Sequence, residues 1–251
     1  IKSAIEDDQF YLVYQPILEY KTQRVTKLEA LIRWQHPTLG LLSPMEFIPI
    51  CERSGNVYEL SQWVLKTACE QCKAYQLLDG DMSISVNISG RVFNQPEMPT
   101  LLEKICETSN VLPSSINLEI TETTAMGKPE EAIKILKQLT SKGFTISIDD
   151  FGTGYSSFSY LTELPVNELK IDKSFLLSVN ENTNKVIKAM IDLAHLLNLK
   201  VVAEGVETKE LLEMLNEMNC DFAQGFYIAK PLPIKVLYQW LLGKDEKRAN
   251  C

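Results

Sequence analysis

The chain has 251 residues, 45% of them hydrophobic, enough for a full core in one α/β barrel or in two smaller domains. Its formal net charge of -8 argues against broad electrostatic binding to DNA or to an anionic membrane. No apolar stretch reaches the roughly 20 residues that a membrane span requires.

Taken in chain order, the pattern alternates between period two and period 3.6. Glu29 ends a first apolar run at Leu28-Glu29-Ala30-Leu31. A helical pattern covers Tyr58 to Leu77. In Met82 to Ile88, one face carries Met82, Ile84, Val86 and Ile88, and the other carries Ser83, Ser85 and Asn87. Asn117 to Thr121 sets Leu118 and Ile120 against Glu119. After a helical pattern from Glu131 to Lys142, Thr145 to Asp149 places Asp149 with Thr145 and Ser147. Glu168 to Asp172 sets Lys170 opposite Leu169 and Ile171. Helical patterns follow over Asn184 to Leu197 and Lys209 to Met218, with Glu204 ending a run between them. The tail, Gly243 to Cys251, reads as polar and frayed. Side chains on a strand alternate faces, so each polar candidate points away from its apolar neighbours. Strand–helix units of about 30 residues imply βαβ repeats and a mainly parallel sheet.

There is no Ser/Gly-rich linker and no low-complexity run, so one domain is the simpler expectation. The chain starts at Ile1 and carries no signal peptide, which suggests a domain excised from a longer protein. The six cysteines fall mostly inside apolar or helical patterns, as expected of a reduced, cytoplasmic protein. Cys69 and Cys72 form a CxxC within a helical pattern, and with no second CxxC they read as core thiols rather than zinc ligands.

The polar candidates gain meaning together. Parallel barrels pack Val, Ile and Leu inside and carry their active sites at the C-terminal ends of the strands. Glu29, Asn87, Glu119, Asp149, Asp150, Lys170 and Glu204 would gather at that end. Two carboxylates about 4 Å apart repel by on the order of 4 kcal/mol at an effective dielectric of 20, so cations must offset them or some must be protonated. Carboxylates plus an amide oxygen, without His or Cys, suit Mg²⁺ or Mn²⁺ rather than zinc. The five carboxylates, all ionised, would be balanced by two divalent ions and one lysine. Such a site could draw in a phosphodiester despite the acidic chain, and two metals can activate water for phosphoryl transfer. Lys170 beside metals would have its pKa pushed down and could accept a proton; it could equally pair with a carboxylate. The segment Asp149-Asp150-Phe151-Gly152-Thr153-Gly154-Tyr155-Ser156-Ser157 adds a tight, mobile glycine loop directly after its strand.

These residues resemble a known family. Glu29-Ala30-Leu31, within Leu28 to Trp34, is similar to the signature of the EAL family of cyclic-di-GMP phosphodiesterases. Tyr14-Gln15-Pro16, Asn87-Ile88-Ser89, Glu119-Ile120-Thr121-Glu122, the Asp149-to-Ser157 loop, Lys170-Ile171-Asp172, Glu204-Gly205-Val206-Glu207 and Gln224-Gly225-Phe226 follow in family order. The resemblance covers roughly residues 5 to 242. It implies a TIM-like (β/α)8 barrel with its first strand antiparallel. It implies Mg²⁺- or Mn²⁺-dependent hydrolysis of cyclic-di-GMP to linear pGpG, with two ions per site. By motif match, Glu29, Asn87, Glu119, Asp149, Asp150, Glu204 and Gln224 would hold or line the metals. Glu29, Lys170 and Glu204 would carry catalysis. Gln15, Leu31, Arg33 and Asp150 would face the substrate. Glu122, Gly152, Gly154 and Glu207 would support the Asp-Phe-Gly loop, which takes part in homodimerisation; Glu122 and Glu207 also read as ordinary surface acids. The parent protein would carry an upstream sensory or diguanylate-cyclase-like domain, with no DNA partner and no direct membrane contact by this domain. Ile32 and Phe226 depart mildly from the usual Leu and Tyr. A nucleotide receptor without turnover and a scaffold are the competing readings, and the complete ligand set speaks against both.

Overall fold

The computed structural model describes residues 1–79, 82–154, 158–177 and 180–249, with side chains left aside at 77–79, 158–159 and 244–249. Among the described residues, ten strands form one sheet: β1 (Phe10–Glu19), β2 (Arg24–His36), β3 (Gly40–Leu42), β4 (Ser83–Asn87), β5 (Ile116–Thr121), β6 (Thr145–Phe151), β7 (Glu168–Ile171), β8 (Lys200–Ala203), β9 (Phe222–Gln224) and β10 (Leu232–Pro233). Eight of them close a barrel in the order β1-β2-β4-β5-β6-β7-β8-β9, with β9 returning to β1. β1 is antiparallel to both neighbours, and every other pairing around the barrel is parallel. β3 and β10 lie outside the ring, on β2 and β1.

The outward side chains of the barrel strands make the core with the helices. Ile84, Val86, Leu118, Ile120, Ile146, Ile148, Leu169, Ile171 and Val201 are all buried beneath them. The helices start where the sequence supplies caps. Ser43 forms a capping box with Glu46 before helix Pro44–Ser54. Asn180 Oδ1 accepts the Asn182 and Thr183 amides before helix Glu181–Leu196, and Thr208 caps helix Lys209–Glu217. Such caps contribute about 1 kcal/mol each by satisfying amides that the helix leaves open.

Three sequence expectations change. The tail is helical, within Ile234–Ala249; residues 250 and 251 lie outside the described part. The barrel interior is not a Val/Ile/Leu packing. Ser85, Asn117, Ser147, Glu168 and Lys170 are buried inside it, and the apolar remainder there is a small cluster of Ile17, Val202 and Phe222. Glu29 does not end a short strand, because β2 runs on to His36; only Lys27 to Ala30 pairs with β4, so Glu29 marks where the barrel part of a longer ribbon ends.

Cys69 and Cys72 lie within helix Val57–Asp79 and are buried, Cys69 Sγ 4.0 Å from Cys106 Sγ. Burial pushes the Cys72 thiol up to about 11, which suits a core residue. Among the described residues, no helix is long and apolar enough to cross a membrane.

Candidate active site

The C-terminal ends of the parallel strands converge on one ammonium. Lys170 Nζ, on β7, lies 2.7 Å from Glu204 Oε1, 2.8 Å from Glu119 Oε2, 3.2 Å from Asp149 Oδ1 and 3.9 Å from Glu29 Oε2. The lysine side chain is 1% exposed. β2, β5 and β6 supply three of its partners by strand alternation. Glu204 stands one residue beyond β8, its amide bonded to Ile171 O at 3.1 Å.

A hydrogen-bonded rim extends from Glu29. Asn87 Nδ2 donates to Glu29 Oε1 at 2.8 Å, and Gln224 Nε2 donates to Glu29 Oε2 at 2.5 Å and to Gln15 Oε1 at 3.1 Å. Gln15 Nε2 in turn donates to Ala229 O at 3.2 Å. No side-chain motif announces that last partner, because it is a backbone carbonyl brought in by the chain after β9.

Asp150 follows Asp149 directly, and alternation alone would turn it away. Its φ of 55° breaks the pattern, and the β6–β7 register is interrupted between Ile148 and Phe151. Asp tolerates this left-handed geometry better than most residues. Asp150 thereby senses the charges of Asp149, Lys170 and Glu29.

The electrostatics follow from burial and proximity. Burial acts to lower the Lys170 pKa, but the four carboxylates outweigh it and hold the group well above the usual lysine range. Metal ions beside Lys170 would lower its pKa, as expected from the sequence; the carboxylates by themselves act in the other direction. Burial pushes Glu204 up to about 7 despite the opposing pull of Lys170. Burial likewise holds Glu119 well above the carboxylate range, with Glu29 and Asp149 adding to the effect. Glu29 ends below its ordinary value because Lys170, Gln224 and Asn87 together exceed the cost of its burial. Burial, then the Asp149 charge, raise Asp150.

Among the described residues, no three acidic, His or Cys side chains are already arranged to hold a metal ion. The carboxylates instead close on Lys170. Two observations nevertheless fit a hard divalent cation. Glu119 Oε1 and Gln224 Oε1 are buried acceptors without a hydrogen-bond partner, and an orphaned buried oxygen is costly unless something binds it. The donor set is carboxylate and amide oxygen throughout, as Mg²⁺ or Mn²⁺ prefers.

The substrate-side candidates separate. Leu31 lines a cavity of about 380 Å³ together with Ile48, Leu60, Asn87, Ser89 and Thr124. Arg33 is half-buried, and its Nη1 donates to Ile32 O at 2.8 Å rather than joining the Lys170 cluster. Around the loop, Glu122 is 3% exposed and its Oε2 accepts the Gly152 amide at 2.8 Å. A Cβ on Gly154 would meet Glu122 Oε1 at 2.8 Å. Gly152 has φ +93°, and a Cβ there would meet Met190 Cε at 2.8 Å and Phe175 Cζ at 2.9 Å. Glu207 is exposed and makes no hydrogen bond or ion pair with the loop among the described residues. Tyr155, Ser156 and Ser157 lie outside those residues. Lys27 and Glu168 escaped the sequence reading, although Glu168 stands two positions before Lys170 and so shares its face.

The family model of the EAL domain matches residues 1–231. The chain belongs to the EAL domain family. This EAL chain is 38% identical over 96% of its length to the cyclic di-GMP phosphodiesterase NbdA of Pseudomonas aeruginosa, covering 31% of that protein. It is 39% identical over 94% of its length to the bifunctional diguanylate cyclase/cyclic di-GMP phosphodiesterase MucR of the same organism, covering 35% of it. The EAL chain thus spans about a third of the length of these curated relatives. Among solved structures, the PaMucR phosphodiesterase in complex with c-di-GMP superposes with a TM-score of 0.90 at 38% identity, covering 94% of this chain and 97% of that one. The EAL enzyme Bd1971, bound to cAMP and cyclic-di-GMP, gives a TM-score of 0.90 at 35% identity, covering 96% of this chain and 66% of that one.

Proposed function

We propose that this EAL domain hydrolyses one phosphodiester of cyclic-di-GMP, giving linear pGpG, with two Mg²⁺ or Mn²⁺ ions in its site. The observation that carries the reading is the convergence of Glu29, Glu119, Asp149 and Glu204 on buried Lys170. The names of the relatives and of the structural neighbours support the substrate.

Glu29, Asn87, Glu119, Asp149, Asp150, Glu204 and Gln224 would hold or line the ions. When bound, the ions would activate water and stabilise the attacking and leaving oxygens of the phosphodiester. The orphaned oxygens of Glu119 and Gln224 would gain partners. Lys170 would orient the attacking water or take up its proton once its carboxylates are shared. Glu204 would join the metal and water network, where the ions would favour the carboxylate form that burial disfavours in the metal-free chain. Arg33 would meet a substrate phosphate. Gln15 and Leu31 would border the nucleotide, and the apolar cavity at Leu31 is roomy enough for a purine. Glu122, Gly152 and Gly154 would keep the Asp149–Asp150 loop in place. Glu207 would join them only if its exposed side chain turns toward the loop. The domain would work in the cytoplasm, as a homodimer, downstream of sensory or diguanylate-cyclase-like segments in a longer protein.

The deciding experiment incubates the purified chain with cyclic-di-GMP and Mg²⁺ or Mn²⁺, with a chelated control, and resolves the products by anion exchange. Metal-dependent pGpG is expected. Intact cyclic-di-GMP in every metal condition would overturn the reading.

A further inference from the structure

Beneath the carboxylate ring lies a second polar ring that the proposed chemistry does not use. Its members stand two residues before those of the first ring, on the same five strands. Lys27 precedes Glu29, Ser85 precedes Asn87, Asn117 precedes Glu119, Ser147 precedes Asp149, and Glu168 precedes Lys170. Inward positions on a strand recur every second residue, so each strand sends one side chain to each ring.

The lower ring is one continuous chain of bonds. Asn117 Nδ2 donates to Ser85 Oγ at 2.9 Å and to Ser147 Oγ at 2.8 Å. Ser147 Oγ donates to Glu168 Oε1 at 2.9 Å. Glu168 Oε2 pairs with Lys27 Nζ, which also lies 3.9 Å from the centroid of the Phe222 ring. β2 and β7 are separated around the barrel by β4, β5 and β6. The Lys27–Glu168 pair therefore crosses the interior and ties together strands that share no backbone bonds.

Stability alone does not call for this layer. Glu168 is 2% exposed, Ser147 0% and Asn117 4%. Apolar side chains of similar volume commonly replace a buried ion pair without loss, and often with gain. What the polar chain supplies is direction. Hydrogen bonds and an ion pair define how each strand is rotated about its axis, which apolar packing defines less sharply. The next inward residues on these strands must be held within about 0.5 Å for a metal site to work.

We infer that Lys27 and Glu168, linked through Ser147 and Asn117 to Ser85, are positioning residues for the metal-binding ring above them. They touch neither substrate nor ion, and act through the five strands. The inference rests on the metal-dependent reading of the preceding subsection.

The test uses the full chain with Lys27→Met, Glu168→Met, the double variant K27M/E168M, and Ser147→Ala. Each single charge removal strands its partner and lowers the unfolding temperature. The double variant removes both charges. Its unfolding temperature in chelator is expected to equal or exceed that of the parent chain. Its Mn²⁺ affinity, titrated by calorimetry without substrate, is expected to fall about tenfold or more, in the range that supporting partners of metal ligands command. At saturating Mn²⁺, kcat for cyclic-di-GMP is expected to fall while KM stays within about twofold. S147A cuts the chain but keeps the ion pair, and is expected to weaken Mn²⁺ binding by a smaller factor, about threefold. A double variant whose Mn²⁺ affinity and kcat match the parent overturns the inference. If the double variant does not fold, an S147A protein with unchanged Mn²⁺ affinity overturns it instead. A parent chain that neither binds Mn²⁺ nor turns over cyclic-di-GMP removes the metal reading itself and the inference with it. A parent that does both, beside variants that do so equally, removes the inference alone.

Discussion

Glu122 accepts the amide of Gly152, Oε2 to N 2.8 Å, across 30 positions of sequence. The contact joins the start of the short helix after β5 to the loop that follows β6. It braces the segment that carries Asp149 and Asp150 and leaves Gly154 no room for a side chain.

Glu122→Ala removes the brace without touching the carboxylate ring. Turnover is expected to fall about tenfold or more, with a smaller change in cyclic-di-GMP affinity. Glu122→Gln keeps an acceptor oxygen and should recover part of the rate. Gly154→Ala should behave like Glu122→Ala, since its methyl group would displace the carboxylate. Steady-state kinetics beside a binding titration in chelator checks this; rates equal to the parent's in all three variants would show that the brace does not serve turnover.

Glu29 accepts from Asn87 and Gln224 and faces Lys170. Glu29→Ala is expected to lower metal-dependent turnover by at least about a hundredfold, because a proposed ligand and the anchor of the rim are lost together. The fold should survive, as one of several mutually repelling acids is gone. Circular dichroism and product assay together decide; full activity in a folded variant would exclude Glu29 as a ligand.

Lys170 is the cation on which four carboxylates close. Lys170→Met leaves them without their shared cation; Glu29 keeps only its bonds from Asn87 and Gln224. In chelator at pH 8 the loss of stability is expected to be about 3–5 kcal/mol, the range for breaking a buried ion pair from one side. Mn²⁺ should restore part of it by mass action, because it binds the folded form. Urea denaturation measures both, and a variant as stable as the parent in chelator would show that the carboxylates there are largely protonated.

The raised carboxylates give a pH dependence with a definite sign. Burial lifts Glu204 from 4.5 to about 7 in the folded chain. Between those values the folded state holds more protons than the unfolded state, so stability falls as pH rises through the window. Glu119, also raised by burial, acts in the same direction. Denaturation in chelator should therefore show stability decreasing from about pH 4.5 to pH 7. Glu204→Gln should flatten that slope, and a parent chain whose stability rises across the window would contradict the assignment.

Much of this protein was legible in its order of residues. Period-two runs ending in Asn87, Glu119, Asp149 and Lys170 defined strands and the faces of those strands. The helical stretches between them implied parallel pairing, and the motifs placed the chain near the EAL family. These features are local, because backbone alternation fixes where a side chain points once a strand forms. Other features are not local. Glu29 looked like a strand end but sits inside a long ribbon, since only tertiary pairing decides which part of β2 belongs to the barrel. Asp150 departs from strand alternation through a left-handed φ of 55° that the sequence pattern does not foresee. The tail is helical where polarity suggested fraying. The polar interior was the largest omission. Ser85, Asn117, Ser147, Glu168 and Lys27 are unremarkable one at a time, and their partners lie on other strands. Asp150 apart, period-two alternation in the sequence determined which side chains of a strand share a face. Barrel closure alone decided which of them meet, because an ion pair or a hydrogen bond depends on distances that separate strands acquire only when the sheet returns on itself.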